Sequence, residues 1–163
     1  MSRNPEPTMV SQRFFALFFL GLVALTGCSS AGPTEMPGRD TYAFDFDFLW
    51  DEAQAELNAQ WRIATADRET KTITTEWDVR LSPFRARGER HRVIVVFSPA
   101  ETGKWKLLAT QESEENDEVD KPLDPEEASW SERGNDGALA AKFVVNFDRR
   151  MRPNDAWRRQ TKR

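Results

Sequence analysis

A disulfide needs two cysteines and this chain has one, Cys28, so no intrachain bridge staples its fold. Histidine is as scarce: His91 stands alone. One imidazole and one thiol exclude the usual zinc ligand sets, and also a Cys–His dyad or a Ser-His-Asp triad built on other histidines. The longest apolar run, Phe14 to Leu25, has 12 residues, short of the roughly 20 that cross a bilayer as a helix. Gly134 and Gly137 are too few for a phosphate-cradling loop, and no basic residue follows them at P-loop spacing. No stretch alternates oxygen ligands around a central glycine as a calcium loop does. Excess positive charge is missing too. With 23 Lys and Arg against 27 Asp and Glu, the net charge is −4, which gives no support for nucleic acid or anionic lipid as the main partner. These absences predict a non-catalytic protein with no metal and no cofactor.

What is present begins at the N-terminus. A short polar region with Arg3 and Arg13 leads into the apolar run, and small residues follow it: Thr26, Gly27, Cys28, Ser29, Ser30. A charged start, a short apolar middle and a small-residue end are the parts of a secretory signal. Leu25-Thr26-Gly27-Cys28 resembles a lipobox, the site that bacterial lipoproteins carry at the end of that signal. The resemblance implies cleavage before Cys28 and a diacylglycerol on its sulfur, with further acylation at the new N-terminus. Multiple acyl chains, at about 0.8 kcal/mol per buried methylene, hold a domain to a membrane durably. Some bacteria place Asp after the cysteine to retain lipoproteins in the inner membrane. Ser29 stands there instead, so the resemblance favours the outer membrane, facing the periplasm.

Residues 1–27 are thus expected to be removed, leaving 136 of the 163 residues, about one domain. They carry Arg3, Arg13 and Glu6, so the mature charge is −5 against −4 for the whole chain. Residues 28–41, rich in Ser, Pro and Gly, read as a flexible tether. A domain is predicted over 42–151. Within it, 112–127 holds nine acidic residues and one Lys, and reads as a solvated acidic loop. Residues 152–163 form a basic tail that either folds onto that loop or stays solvated.

Periodicity outlines the domain. "YAFDFDF" alternates, with Tyr42, Phe44, Phe46 and Phe48 on one side of a strand. "LWDEAQAELNAQ" reads as a helix capped by Asp47, with Trp50, Ala53 and Leu57 on its apolar face. Ile63 and Thr65 alternate after Trp61, "ADRETK" turns, and Ile73, Thr75, Trp77 and Val79 alternate back as a hairpin. "RHRVIVVFS" and "KWKLLATQE" form a second hairpin in which His91, Val93, Val95 and Phe97 share a face with Trp105, Leu107 and Ala109. A last helix over "GALAAKFVVNFDRRM" carries the stripe Leu139, Phe143, Phe147 and Met151, capped by Asn135 or Asp136. Hairpins and amphipathic helices together predict an α+β two-layer sandwich: an antiparallel sheet of four to five strands with both helices on one face. Ile94, Val96 and Leu108 fall on the other face as an apolar strip, either covered by the long loop or open to a partner.

The helix followed by "ADRETKTITTEW", residues 66–77, resembles repeats of BamC-type lipoproteins, accessory subunits of the outer-membrane β-barrel assembly machine. That family often has Gly where Lys71 stands. The resemblance implies a helix-grip fold and an envelope setting, with other envelope proteins as partners.

Candidate functional residues divide by pattern. Asp45 and Asp47, two apart, are a spacing that paired carboxylates use for acid–base work, and a wet strand edge or a helix cap also accounts for them. His91 reads as a strand residue without catalytic duty. Trp50, Trp61, Trp77 and Trp105 are expected in the core by periodicity, whereas Trp130 and Trp157 fall outside any periodic pattern. The cluster Arg85, Arg87, Arg90 and Arg92 brackets the crossing between the hairpins. It either guards a strand edge or meets anionic lipid or an acidic partner. These four arginines with Trp130 and Trp157 form the candidate interaction set, since Trp and Arg dominate protein interfaces. The expected function is a lipid-anchored interaction or assembly accessory domain. The alternative is a lipid-anchored binder of a small molecule or glycan, held between sheet and helices.

Overall fold

The computed structural model describes residues 33–39, 41–81, 87–118, 120, 123–152 and 159–161. Cys28, the stretch read as a signal, Arg85 and Trp157 lie outside the described residues. The fold is α+β, with two 13-residue helices, α1 (Phe46–Asn58) and α2 (Ala138–Arg150), on one face of an antiparallel sheet. The sheet has seven strands: β1 (Thr34–Pro37), β2 (Ile63–Asp67), β3 (Thr72–Thr75), β4 (Asp78–Arg80), β5 (Glu89–Pro99), β6 (Trp105–Asn116) and β7 (Trp130–Glu132). Five follow the order β1-β6-β5-β3-β2, close to the expected number. The short β4 and β7 flank the far end of the β5–β6 hairpin.

That hairpin, 11 and 12 residues long, is the spine. Its alternation sends Val93, Val95, Phe97, Leu107 and Ala109 under the helices, where all five are buried. Trp50, Leu49, Ala53 and Leu57 of α1 and Phe143 and Phe147 of α2 close over them. Trp50 is 1 % exposed, so the space between sheet and helices is filled with side chains.

Three expectations change. The stretch 28–41 is not all tether: β1 pairs with β6 from Thr34 opposite Gln111 to Pro37 opposite Leu108. Met36 packs on the core, the Thr34 hydroxyl donates to the Asn135 carbonyl at 2.8 Å, and Pro37 is tolerated because β1 is an edge strand. Second, "YAFDFDF" is one bridge followed by a helix. Tyr42 pairs with Trp105, and α1 starts at Phe46. Aromatics at every second position also sit at i and i+4, so the same run serves a helix. Phe44 meets Phe48 at 5.6 Å and Phe46 meets Trp50 at 5.5 Å. Asp45 takes the N-cap position and Asp47 lies in the first turn, paired with Arg68. Third, residues 112–116 of the acidic stretch are strand β6, not loop. Glu112 and Glu114 stand opposite Arg92 and Arg90, and a charge that would be solvated alone is matched across the ladder.

The β2–β3 turn forms as expected, with Lys71 at φ 56°. This left-handed backbone is where glycine fits best, and Lys71 holds it in a short hairpin turn. At α2 the expected caps act one step earlier. The Asn135 and Asp136 side chains accept from the N–H groups of Gly137 (2.9 Å) and Ala138 (3.0 Å). The buried Gln111 of β6 accepts from Leu139 N–H at 2.8 Å.

Tyr42, the sole tyrosine, ties the chain after β1 to α2. Its hydroxyl donates to Asp148 at 2.5 Å, and Arg39 donates to the Asp148 carbonyl at 2.8 Å. Burial first, then the bond to Asp148, pushes this phenol well above its ordinary value of about 10, with Arg39 opposing. A raised folded value means that the stability is fully present below pH ~10 and is lost above it, as the unfolded chain ionises there first. Tyrosinate absorbance of the native protein is therefore expected to stay absent as pH passes 10, while stability declines. Tyr42→Phe should remove that part of the decline. An ordinary phenol titration in the folded protein contradicts this reading.

Candidate interaction surface

Because Val93 and Val95 face the helices, Arg90 and Arg92 must face the other way, and on that outer face they meet two indoles. The Arg92 guanidinium lies 4.4 Å from the Trp77 ring centroid, Arg90 lies 4.5 Å from Trp77, and Arg90 lies 4.6 Å from Trp130. The four side chains make a chain of contacts across the sheet: Arg92, Trp77, Arg90, Trp130. Each cation also holds a carboxylate on β6. Arg90 donates through Nε to Glu114 at 2.7 Å with Nη2 at 2.5 Å, and Arg92 Nε donates to Glu112 at 2.5 Å.

Trp77 is the residue that sequence reasoning misplaced. Strict alternation from Ile73 would bury it, but β3 ends at Thr75 and two irregular residues precede β4. The break shifts the phase, and Trp77 crosses to the outer face. Trp130, outside any period, opens β7 opposite Asn116 and completes the stack. Its only sequence signal was that missing pattern. Arg87 stands apart before β5, 3.2 Å from both Glu115 and Asp117. Arg85 and Trp157 lie outside the described residues, so the structure brings together Arg90, Arg92 and Trp130 of the candidate set.

The electrostatics argue for order rather than bare charge. Exposed ion pairs are worth about 0–1 kcal/mol each and cation–π contacts about 0.5–2 kcal/mol. Stacked together, they hold large side chains in one geometry before any partner arrives. With Glu112 and Glu114 matching their charge, Arg90 and Arg92 do not form an unscreened positive patch.

Next to this stack along β5 and β6 run Ile94, Val96 and Leu108, half-buried between neighbouring threonines, with Val96 opposite Leu108 and Ile94 opposite Thr110. Among the described residues no helix packs over this face, since both helices share the opposite core. The acidic loop closes on itself at its base: Asn116 accepts from the N–H groups of Glu118 (3.0 Å) and Ser129 (3.1 Å). That base is eight residues, about 27 Å, along β6 from Leu108. Beside Arg92, where β1 and β7 leave a gap along β6, a cleft of about 270 Å³ is lined by Pro33, Glu112, Ser113, Glu132 and Arg133.

His91 faces the helix side. Its Nδ1 is 2.8 Å from Ser113 Oγ and its Nε2 is 3.4 Å from Glu89, while Gln111 Nε2 donates to the same Ser113 oxygen at 3.2 Å. Ser113 is 3 % exposed, so its hydroxyl is closed to a substrate, and the chain of bonds links the sheet to the start of α2. Asp45 and Asp47 sit at the start of α1, on no shared strand face, where Asp45 accepts from Gln160 at 2.6 Å. Of the basic tail, Arg159 and Gln160 return to α1 rather than to the acidic loop. No group of three His, Cys, Asp or Glu side chains converges among the described residues.

No protein-family model matches this chain, and no curated protein matches it in sequence.

Proposed function

We propose that this chain is a bacterial envelope lipoprotein, anchored through acyl chains on Cys28, whose non-catalytic domain docks on other envelope proteins through the outer face of its sheet. The observation that carries the docking is the preassembled Arg92–Trp77–Arg90–Trp130 stack beside the strip Ile94, Val96 and Leu108. Trp and Arg are the residue types that anchor protein interfaces, and rigid presentation lowers the entropy cost of binding. A ligand between sheet and helices is the weaker reading, because Trp50, Phe143 and Phe147 occupy that space.

The early start of the fold sharpens the proposal. Five residues separate Cys28 from Thr34, and the six Cα-to-Cα steps between them span at most about 20 Å. Pro33 lines the cleft next to Arg92, so the anchor leaves the domain beside the stack. The partner must therefore present its own surface close to the membrane. Ser29 after the anchor favours the outer membrane and its periplasmic side.

Photo-crosslinking residues at Val96 and Leu108 in the lipidated full chain test this, with Val145, exposed on α2, as control. Discrete envelope-protein adducts are expected from the two sheet positions and not from Val145. Cys28→Ala should abolish them and leave the protein released from membranes or uncut. Adducts of equal yield from all three positions, or from none, would overturn the docking face. Normal processing and fractionation of Cys28→Ala would overturn the anchor.

A further inference from the structure

Most arginines among the described residues are held by carboxylates, as Arg39, Arg90, Arg92 and Arg150 are. Of the cations without such a partner, three stand together. Lys142 and Arg149 of α2, and Arg152 just beyond its end, are exposed and form no ion pair among the described residues. Helical spacing puts Lys142, Val145 and Arg149 on one side of α2, away from the buried Ala140, Phe143 and Phe147, and Arg152 continues the line. Val145 is 56 % exposed. The single acidic residue of α2, Asp148, is taken up by Arg39 and Tyr42, so nothing on the helix offsets the stripe. Unlike the Arg–Trp stack, this is an unscreened positive surface.

The stripe also lies on the side where the chain enters the domain. β1 is one edge of the sheet, and α2 packs on β1 and β6 while α1 lies toward the opposite edge, β2. β1 runs beside α2 for the length of the helix. The Thr34 hydroxyl donates to the Asn135 carbonyl before the helix starts, and Arg39 Nη2 donates to the Asp148 carbonyl in its last turn. An anchor at Cys28, at most about 20 Å from Thr34, keeps this edge of the domain close to the bilayer. The chain as a whole carries −4. An anionic surface therefore repels most orientations of the domain and admits the one that turns these three cations toward it. One valine is too little apolar surface to insert, so the contact is electrostatic.

We propose that the stripe Lys142, Val145, Arg149 and Arg152 rests on the anionic phospholipid headgroups of the membrane that holds the anchor, and so fixes how the domain stands on it. The inference rests on the anchor at Cys28 proposed above. It leaves the Arg–Trp stack and the strip Ile94, Val96 and Leu108, on the other side of the sheet, free for a protein. Each cation near a charged bilayer favours contact by about fivefold, and three together by on the order of a hundredfold. Salt weakens this, because the charges remain in water.

The test places the acylated chain, its mass measured first, in nanodiscs of phosphatidylcholine alone or with phosphatidylglycerol added. Both kinds carry a lipid with gadolinium chelated at the headgroup. The methyl resonances of Val145 are compared with those of Val79, 46 % exposed on β4. Val145 is expected to relax several-fold faster than Val79 in the anionic discs and not in the neutral ones, and high salt should erase the difference. Combining Lys142→Gln, Arg149→Gln and Arg152→Gln, all at exposed positions, should abolish it while the buried Val93 and Val95 methyls keep their shifts. Equal relaxation of Val145 and Val79 in anionic discs would overturn the proposal. So would a difference that neutral discs reproduce or that the triple variant retains. A chain without acyl mass overturns the anchor and this orientation together, whereas equal relaxation in an acylated chain overturns the orientation alone.

Discussion

Gly137→Ala is expected to destabilise the domain by about 3 kcal/mol. Two costs combine. Gly137 has φ 67°, a left-handed conformation that costs a residue with a Cβ roughly 1–2 kcal/mol. A Cβ there would lie 2.6 Å from Thr34 Cγ2 and 2.7 Å from Met36 Cε. Met36 can swing its terminal methyl aside, but Thr34 is β-branched and tied through its hydroxyl to Asn135, so its side chain or the start of α2 must shift, and such overpacking typically costs about 1–3 kcal/mol. Gly103 supplies the control. At φ 70° with nothing within 4 Å of its missing Cβ, Gly103→Ala carries only the conformational cost. Urea midpoints of the two variants should differ, and amide exchange should speed up in β1 of the Gly137 variant while β5 stays protected. Equal losses at both positions would show that β1 is not seated against the turn before α2. The result bears on the proposed anchoring, in which β1 would be the first element of the domain after Cys28 and would set the reach to the membrane.

Arg150→Ala is expected to cost about as much, for an electrostatic reason. Glu52 and Glu56 of α1 are 5 % and 8 % exposed, rare for carboxylates on a helix face turned inward. Arg150, in the last turn of α2, donates to Glu52 through Nε at 3.0 Å and Nη2 at 2.6 Å, and its Nη1 lies 3.8 Å from Glu56. Removing one partner of a buried pair costs about 3–5 kcal/mol, because the remaining charge stays out of water. The lower end applies: the Arg150 side chain is 34 % exposed, and Arg159 still stands 3.4 Å from Glu52. Adding Glu52→Gln to Arg150→Ala should recover part of the loss, since the stranded charge is then gone. A loss below about 1 kcal/mol, the worth of an ordinary surface pair, would mean that water reaches Glu52 freely.

The helix-facing core was legible because it rests on local rules. Val93, Val95 and Phe97 fall at every second position of their strand, and Phe143, Phe147 and Met151 recur at helical spacing. Both periods survive folding unaltered. The turn at Lys71 and the residues that tie down the start of α2 were readable for the same reason. Trp77 was not, since a two-residue interruption between strands leaves no mark on an alternating pattern. Nor was β1, four residues, Thr34 to Pro37, that carry a proline and become a strand only because β6 offers an edge. The acidic run 112–127 hid the end of β6, as nothing local says that Arg90 and Arg92 will stand opposite two of its glutamates.

By itself the sequence determined the bulk of both helices, the β2–β3 and β5–β6 hairpins, and the core-facing positions of α1, α2, β5 and β6. Each follows from spacing within about a dozen residues, over which backbone geometry sets which side chains share a face. The tertiary structure alone decided the Arg–Trp stack, the burial of Glu52 and Glu56 under Arg150, and the pairing of β1 with β6. All of these depend on register and phase between segments far apart in the chain, and a single irregular residue can invert a side chain's face without leaving a trace in composition.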